Sequence, residues 1–182
     1  MLLAALIGIL HINKLEMEEK KNQLSKLEIE ARGIKERITE EINTLKNSAQ
    51  ILADATDVAN AVLYNDNDVL YNWGALFLGK GVDRVSFISL DGYVVARSHD
   101  EFRFGDSFLG REEFSKAPLQ DGFLGITKED GIELLTYATL IKKYKQIDSG
   151  VVVASKIMDD GFFSKLTRSE EHTSELQSPN TI

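Results

Sequence analysis

The first third of the chain is predicted to form one long helix, and this feature limits the possible folds more than any other. Residues 13–64 contain no proline and a single glycine, Gly33. Apolar residues recur there at steps of three and four, which is typical of a heptad stripe with one stutter. These residues are Leu24, Leu27, Ala31, Ile34, Ile38, Ile42, Leu45, Ala49 and Leu52. A helix of about fifty residues is roughly 75 Å long, more than one small domain can cover. We therefore expect residues 42–63 to pack on a globular body; an autonomous coiled coil is the alternative.

Beyond residue 64 the sequence pattern changes from helix to strand. A polar cluster, residues 65–68 (Asn-Asp-Asn-Asp), predicts a turn whose last member caps a second helix over residues 69–78. Five strands and two further helices follow, and tight turns at Asp91-Gly92 and residues 129–131 favour antiparallel pairing. The predicted strands cover residues 84–90, 93–98, 123–128, 132–142 and 150–157, and the helices cover residues 111–117 and those from Asp159. The sequence thus predicts an α+β fold, with the long helix packed on a mainly antiparallel sheet of about five strands.

The two ends of the chain are interpreted separately from this body. Leu2–Leu10 is an uninterrupted apolar run, shorter than the about 20 residues that a membrane-spanning helix needs. We interpret residues 1–12 as the end of a truncated transmembrane helix that continues as the membrane-emergent helix 13–64; an apolar helix start is the alternative. Residues 168–182 contain the run RSEEHTSELQS, which resembles the translation of a common sequencing adapter, and we expect them to be an artefact. The folded body is then residues 65–166.

Composition and motifs exclude several kinds of function. The chain has no cysteine, which excludes disulfides, thiol nucleophiles and cysteine zinc sites. Its formal charge of −8 creates no positive field for nucleic acid. No histidine pair with metal-ligand spacing, nucleophile elbow or phosphate-binding glycine loop is visible. Adjacent acids such as Glu112 and Glu113 point in different directions on a helix, so we interpret them as solvated or capping acids. We expect no enzyme activity, catalytic residue, metal, cofactor or nucleic-acid partner.

Four segments in this order resemble the Cache, or PAS-like, extracytoplasmic sensor domains of bacterial transmembrane receptors. Residues 87–96 (FISLDGYVVA) are similar to the first hairpin of the family's sheet, and residues 98–108 are similar to its crossing loop. Residues 111–117 (REEFSKA) are similar to the pattern Arg-Asp-Tyr-Phe-x-x-Ala, with Glu113 in place of the usual aromatic residue. Residues 137–153 are similar to the last two strands. The resemblance covers residues 20–166 and implies a single Cache module.

The resemblance implies a function in signalling. The chain would be the ligand-sensing domain of a chemoreceptor, histidine kinase or diguanylate cyclase, periplasmic or extracellular, in the inner or cell membrane. A small polar ligand, such as a carboxylate or an amino acid, would bind between the sheet and residues 98–117. Flanking helices would transmit the signal, the N-terminal helix would anchor the domain to the membrane, and its apolar stripe favours a homodimer. The alternatives are a ligand-free protein-interaction module of a membrane protein, a cytosolic haem binder with His99 as axial ligand, and an enzyme.

Two candidate ligand-binding residues lie on the predicted helix 111–117. Arg111 stands where the resembled family has a ligand-facing arginine, and a guanidinium presents a planar fork that matches a carboxylate. The alternative is a surface arginine paired with Glu112 or Asp106. Phe114 follows one turn later, so it would form a wall of the pocket or belong to the core.

Four further candidates lie on the predicted strands. Tyr137 and Thr139 share one face of the fourth strand, so their hydroxyls can reach a ligand if that face lines the pocket; otherwise the tyrosine belongs to the core of the sheet. Arg97 and His99 share a face at the end of the second strand. Dicarboxylate sensors of the wider family have an arginine and a histidine near this place, but three residues apart instead of two.

Overall fold

The described part of the chain contains five helices and five strands. The structure is a computed structural model that describes residues 2–119, 122–144 and 147–168, with side chains described from Glu16 onward. The helices are α1 (Leu2–Asp54), α2 (Thr56–Tyr64), α3 (Asn67–Ala75), α4 (Glu112–Lys116) and α5 (Asp160–Thr167). The strands are β1 (Arg84–Ser89), β2 (Val94–Arg97), β3 (Phe123–Glu129), β4 (Ile132–Lys143) and β5 (Ile147–Ile157). They form one sheet in the order β2-β1-β5-β4-β3, with all pairs antiparallel. The predicted α+β fold is confirmed.

The chain divides into two units. Residues 39–163 form the larger unit, which contains the later part of α1, the whole sheet and helices α2 to α4. Of the described residues, 2–38 together with 164–168 form the other unit. Within that unit, Nε of Arg37 donates a hydrogen bond of 2.7 Å to the backbone oxygen of Leu166, which connects α1 with α5.

The predictions for the ends of the chain stay predictions. The α-helix α1 already includes Leu2, but among the described residues no helix has the length and apolar character needed to cross a membrane. Apart from Arg168, the adapter-like segment lies outside the described residues.

The structure divides the helix predicted over residues 13–64 into α1 and α2. Ala55 separates them, because its backbone is extended, with φ −75° and ψ 118°. The interruption gives each helix its own buried side, and α2 contacts the central strand β5 and its two neighbours, β4 and β1. The buried residues of the two helices include Leu45, Ala49 and Leu52 in α1 and Val58, Ala59, Ala61 and Val62 in α2.

Local turn chemistry determines where the helices and strands begin and end. Oδ1 of Asp66, rather than the predicted Asp68, caps α3 by accepting a hydrogen bond of 3.2 Å from the backbone N–H of Val69. Asp130 and Gly131 both have positive φ, 53° and 82°, as a two-residue type I′ hairpin requires. This turn joins β3 to β4 and holds Glu129 and Asp130 at one end of the sheet.

One face of the sheet is covered by helices, and we call it the helix face. Val85, Ala154 and Tyr137 lie opposite one another across β1, β5 and β4 on this face. Gly74 of α3 approaches Val85 so closely that an added Cβ would lie 3.0 Å from its Cγ1 atom. Because side chains alternate along a strand, the residues directly before and after each of these three positions point to the opposite face.

That opposite face, the loop face, is covered by residues 98–111, which we call the covering loop, and by α4. One buried apolar cluster joins the sheet to this cover. Ile88, Val151, Val153, Ala138 and Phe123 come from the strands, and Phe108 and Ala117 come from the cover. This is the layer in which the resemblance implies a ligand.

Candidate functional site

The covering loop is bound to the sheet by its backbone. The backbone N–H of Val94 donates to the oxygen of Asp106 at 2.9 Å, and the N–H of Gly105 donates to the oxygen of Val94 at 2.7 Å. The N–H of Phe108 donates to the oxygen of Gly92 at 2.7 Å. These bonds hold Asp106 beside the start of β2 and direct Phe108 into the loop face.

A turn at the end of the covering loop positions Arg111 over Phe108. The backbone N–H of Arg111 donates to the oxygen of Phe108 at 3.1 Å, and Gly110 has a φ of 85°, the positive value that the third residue of a type II turn needs. The guanidinium carbon of Arg111 lies 4.1 Å from the centroid of the Phe108 ring, which is a close cation–π contact. Phe108 is buried, whereas 31% of the Arg111 side chain is exposed. The structure thus holds a planar cation, still accessible to solvent, at the edge of the apolar cluster.

Glu113 is buried, which corrects the interpretation of the pair Glu112–Glu113 as solvated acids. Only 5% of Glu113 is exposed, and its Oε1 lies 3.5 Å from Nη1 of Arg111. Residues four apart share a helix side, so Glu113 lies on the same side of α4 as the buried Ala117. Glu112 is exposed as expected, and its Oε2 pairs with Nζ of Lys116 at 2.8 Å.

Phe114 is brought close to Arg111 by the same short helix. It is partly buried and packs against the apolar cluster of the loop face. An added Cβ on Gly92, in the turn between β1 and β2, would lie 3.3 Å from its Cε1 atom. Phe114 therefore lies at the margin of the cluster, between α4 and the first hairpin.

Arg97 is buried and lies in a group of charges that we call the ion-pair cluster, formed by Arg84, Arg97, Asp106 and Glu129. Its Nη1 and Nη2 donate to the two carboxylate oxygens of Asp106 at 2.6 and 2.7 Å. Nη2 also donates to Oε1 of Glu129 at 3.3 Å, and Oε2 of Glu129 accepts from Nη1 of Arg84 at 3.0 Å. The cluster connects β2 to the covering loop and to the end of β3.

The charges of this cluster stabilise one another. Burial lowers the pKa of Arg97, but the hydrogen bond and charge of Asp106, with the charge of Glu129, outweigh this effect, so the pKa is raised. Hydrogen bonding from Arg97 in turn holds the pKa of Asp106 below its ordinary value. Nη1 of Arg97 also donates to the backbone oxygen of Arg103 at 2.9 Å. Both Nη atoms of Arg97 are engaged within the protein, and its Nε is buried without a hydrogen-bond partner among the described residues. Arg97 therefore differs from Arg111, whose side chain is partly exposed, as a candidate for ligand binding.

His99 lies beside the ion-pair cluster. Its Nδ1 is 3.2 Å from the backbone oxygen of Val85. Burial lowers its pKa, and the charges of Glu129, Arg84 and Arg97 act on it as well. The same group of charges therefore surrounds both His99 and Arg97. Within the described ranges, no group of three or more histidine or acidic side chains is arranged to hold a metal ion.

Tyr137 and Thr139 are not brought together with Arg111 and Phe114. Both are buried, and Tyr137 lies opposite Leu124 and Ala154 on the helix face. The condition for their proposed role, that their strand face lines the pocket, is therefore not met, because the cover formed by the loop and α4 lies on the other face. Tyr137 instead occupies the alternative position, the core between sheet and helices.

Sequence reasoning did not find three residues that shape this region: Phe108, Asp106 and Glu129. One signal was available for Glu129, since the period of two along β3 places it on the same face as the buried Phe123. For Phe108 and Asp106 no comparable signal exists, because their positions depend on backbone hydrogen bonds between an irregular loop and β2.

Comparison with solved structures identifies the fold. No protein-family model and no curated protein matches the chain. The sensor domain of the V. cholerae histidine kinase DctB matches with a TM-score of 0.64 and 14% identity, over 82% of this chain and 61% of that one. The sensory domain of the Campylobacter jejuni chemoreceptor Tlp3 with isoleucine bound matches with a TM-score of 0.60 and 13% identity, over 81% and 62%. The periplasmic domain of Vibrio cholerae LuxQ has a TM-score of 0.56 and 13% identity, over 78% and 70%.

These neighbours agree with the resemblance seen in the sequence. The chain spans about three fifths of the length of the DctB and Tlp3 domains. Its long helix, antiparallel sheet and covering loop with α4 are all described above from its own residues. The chain therefore has the fold of the Cache, PAS-like sensor domains of bacterial transmembrane receptors.

Proposed function

We propose that this chain is the ligand-sensing domain of a transmembrane signal-transduction receptor, on the periplasmic or extracellular side of the membrane. The receptor would be a chemoreceptor, a histidine kinase or a diguanylate cyclase, and the domain itself would have no enzyme activity. The fold supports this proposal, since it is shared with sensor domains of a histidine kinase and of a chemoreceptor. The Tlp3 domain has been solved with isoleucine and with L-valine bound, which favours a small polar metabolite here.

The observation that carries the proposal is the state of Arg111. Its guanidinium is held by stacking on Phe108. Among the described residues, its one polar contact is an ion pair with Glu113 at 3.5 Å, which is beyond good hydrogen-bond distance. Its donors are therefore available for a bidentate bond to a carboxylate. Phe114 and the apolar cluster would contact the less polar part of the ligand.

Ligand binding would act on the cover of the loop face. A ligand held by Arg111 and Phe114 favours the arrangement of α4 in which both side chains contact it, and so changes the population of that arrangement. The helices at the two ends would carry this change, because α5 follows β5 after two residues and α1 precedes the sheet. The N-terminal helix would anchor the domain to the membrane. Two exposed apolar residues of the stripe on α1, Leu24 and Leu27, support a homodimer through this helix.

One observation favours the second candidate, a ligand-free protein-interaction module. Phe102 in the covering loop is 88% exposed, as an apolar residue that contacts a partner protein would be in the isolated chain. In that case the loop face would be filled by its own side chains and would bind no small molecule.

A thermal-shift screen distinguishes the two candidates. The full chain is tested with amino acids, short carboxylates and amines. A ligand at 100 times its dissociation constant adds about 2.7 kcal/mol to the free energy of unfolding, which raises the Tm by roughly 5–10 °C for a chain of this size. Arg111→Ala should abolish the shift, and Arg111→Lys should weaken it, because an ammonium lacks the planar fork.

The matched control is Arg103→Ala. Arg103 belongs to the same loop, but its guanidinium pairs with Asp130 in solvent, so the ligand-induced shift should persist in this variant. If no compound shifts the Tm of the unsubstituted chain, the sensor proposal is contradicted and the interaction module is favoured. A shift that is equally large in Arg111→Ala would remove Arg111 from the site.

A further inference from the structure

We infer that residues 99–107, which we call the lid, open away from the sheet as the pH falls, because a proton on His99 adds a positive charge beside Arg84 and Arg97. The lid is the part of the covering loop that precedes the buried Phe108. This inference goes beyond ligand sensing, since it gives the domain a response to protons that needs no ligand. It depends on the contacts that hold the lid, on the charges of the ion-pair cluster and on the position of His99.

The lid is held to the sheet by polar contacts. None of its residues is buried, so apolar packing contributes little to its closure. Backbone hydrogen bonds connect it to Val94 of β2. One ion pair joins Asp106 to Arg97, and another joins Arg103 to Asp130. A segment with few buried apolar contacts opens at a lower free energy than the whole domain unfolds, so the lid can open while the sheet stays folded.

The ion-pair cluster that holds the lid spans the width of the sheet. β2 and β3 are the two outer strands, and Arg97 and Glu129 are the last residues of these strands. Nη2 of Arg97 nevertheless lies 3.3 Å from Oε1 of Glu129, so the two side chains meet over the loop face. The cluster contains two cations, Arg84 and Arg97, and two acids, Asp106 and Glu129. Its charges balance, and a further cation beside it disturbs this balance.

His99 is the first residue of the lid and lies beside this cluster. Its Nδ1 is 3.2 Å from the backbone oxygen of Val85, and a neutral ring with its proton on Nδ1 donates this bond. The charged groups that act on the ring are Arg84 from β1, Arg97 from β2 and Glu129 from β3. A protonated ring therefore faces two cations and one acid in a partly buried position. Burial above all, together with the two arginines, holds the pKa of His99 below its ordinary value.

Opening of the lid removes His99 from these arginines and exposes it to water. The open lid therefore binds a proton more readily than the closed lid, and a falling pH favours it. The effect begins near the ordinary pKa of histidine, about 6.5, and ends at the lower pKa of His99 in the closed form. Asp106 and Asp130 keep their charges at about pH 6, because the arginines that pair with them hold the pKa of each below its ordinary value.

Amide hydrogen exchange tests this inference on the full chain, followed by NMR without ligand between about pH 7.5 and 5.5. The amides of Val94 and Gly105 report the lid, because each bonds between the lid and β2. The amides of β5 report unfolding of the whole domain, and the amide of Gly92, which bonds within the β1–β2 turn, is a control.

At about pH 7.5 the opening constant of the lid amides should be at least about tenfold larger than that of the β5 amides, because the lid opens locally. Below about pH 6.5 the opening constant of the lid amides should rise, by up to about tenfold per pH unit, which is the limit for uptake of one proton. The opening constant of the Gly92 amide should stay the same.

Three variants identify the titrating group. His99→Asn removes the ring and retains a donor near the position of Nδ1, so the lid should open independently of pH, while protected β5 amides show that the variant is folded. Arg84→Gln removes one of the two cations beside the ring, so the pKa of His99 should rise and the pH response should shrink. The matched control Lys156→Gln removes a cation of β5 that pairs with Asp83 and should leave the response unchanged.

The inference is wrong if the lid amides exchange as slowly as those of β5, if their opening does not depend on pH, or if the pH dependence persists in His99→Asn. An opening constant that rises with acid, loses this rise in His99→Asn and keeps it in Lys156→Gln supports the lid. The proposed ligand sensing stands in each case, because no ligand is present in the exchange measurement.

Discussion

Replacing Arg97 by methionine would show how strongly the ion-pair cluster stabilises the fold. Methionine has a similar length, so the main loss is the charge and its hydrogen bonds. The variant loses the bidentate pair with Asp106 at 2.6 and 2.7 Å, the bond to Glu129 at 3.3 Å and the bond to the backbone oxygen of Arg103 at 2.9 Å.

The expected cost follows from the surroundings of the two acids. Removing one partner of a buried ion pair costs about 3–5 kcal/mol, because the other charge stays buried. The side chain of Asp106 is 38% exposed, so water can solvate it once Arg97 is absent. Glu129 is buried but keeps Arg84 at 3.0 Å. We therefore expect the lower end of the range, about 3 kcal/mol, and a Tm roughly 6–12 °C lower.

Urea unfolding followed by the fluorescence of Trp73, the single tryptophan, measures this loss. Arg103→Ala is the control, and it should lower the free energy of unfolding far less, because the pair of Arg103 and Asp130 is in water. Adding Glu129→Gln to Arg97→Met should restore part of the stability, since it removes a buried carboxylate that has lost one partner. Equal losses in Arg97→Met and Arg103→Ala would refute the reasoning.

Two further predictions concern pH and packing. Burial holds the pKa of His99 below its ordinary value, so the unfolded chain takes up the proton first as the pH falls below about 6.5. The free energy of unfolding should therefore decrease as the pH falls from about 6.5 to the pKa of His99 in the folded chain. Urea titrations at several pH values should show that His99→Gln makes the free energy of unfolding less dependent on pH in this range. An unchanged dependence would contradict the role of His99. Gly150→Ala places a Cβ against the backbone oxygen of Ile88 and 2.8 Å from Cγ1 of Val62, which should cost about 3 kcal/mol. Gly105 has a φ of 83°, but an added Cβ would have no atom within 4 Å, so Gly105→Ala should lower the free energy of unfolding by only about 1 kcal/mol. A lower Tm for Gly105→Ala than for Gly150→Ala would disprove this account.

The strands could be predicted from the sequence because their signals are local. The alternation of apolar residues and the turn residues of the Asp130-Gly131 hairpin predicted a strand over residues 132–142, and β4 covers Ile132–Lys143. The interruption of the long helix at Ala55 was not predictable in the same way. No proline or glycine marks it, and the reason for it lies in the sheet on which α2 packs, far along the chain.

The candidate site shows the same division between local and distant causes. Arg111 and Phe114 were found from a short motif, and their common position depends on a few neighbouring residues, including the turn at Gly110. Glu113 and Tyr137 could not be placed in this way. An acid in a five-residue helix is exposed or buried according to what covers that helix, and Tyr137 faces ligand or core according to which side of the sheet the loop crosses.

Apart from the division of the long helix at Ala55, the sequence by itself therefore determined the order of helices and strands, the tight turns and the motif around Arg111, because neighbouring residues specify these features. Only the tertiary structure decided which face of the sheet receives the covering loop, which arginine keeps its donors available and which acid is buried. Arg97 and Arg111 are the same type of residue, but backbone hydrogen bonds between the loop and β2 bring Asp106 to the first and leave the second with a distant Glu113. Such contacts join segments that are separated along the chain, so no local pattern specifies them.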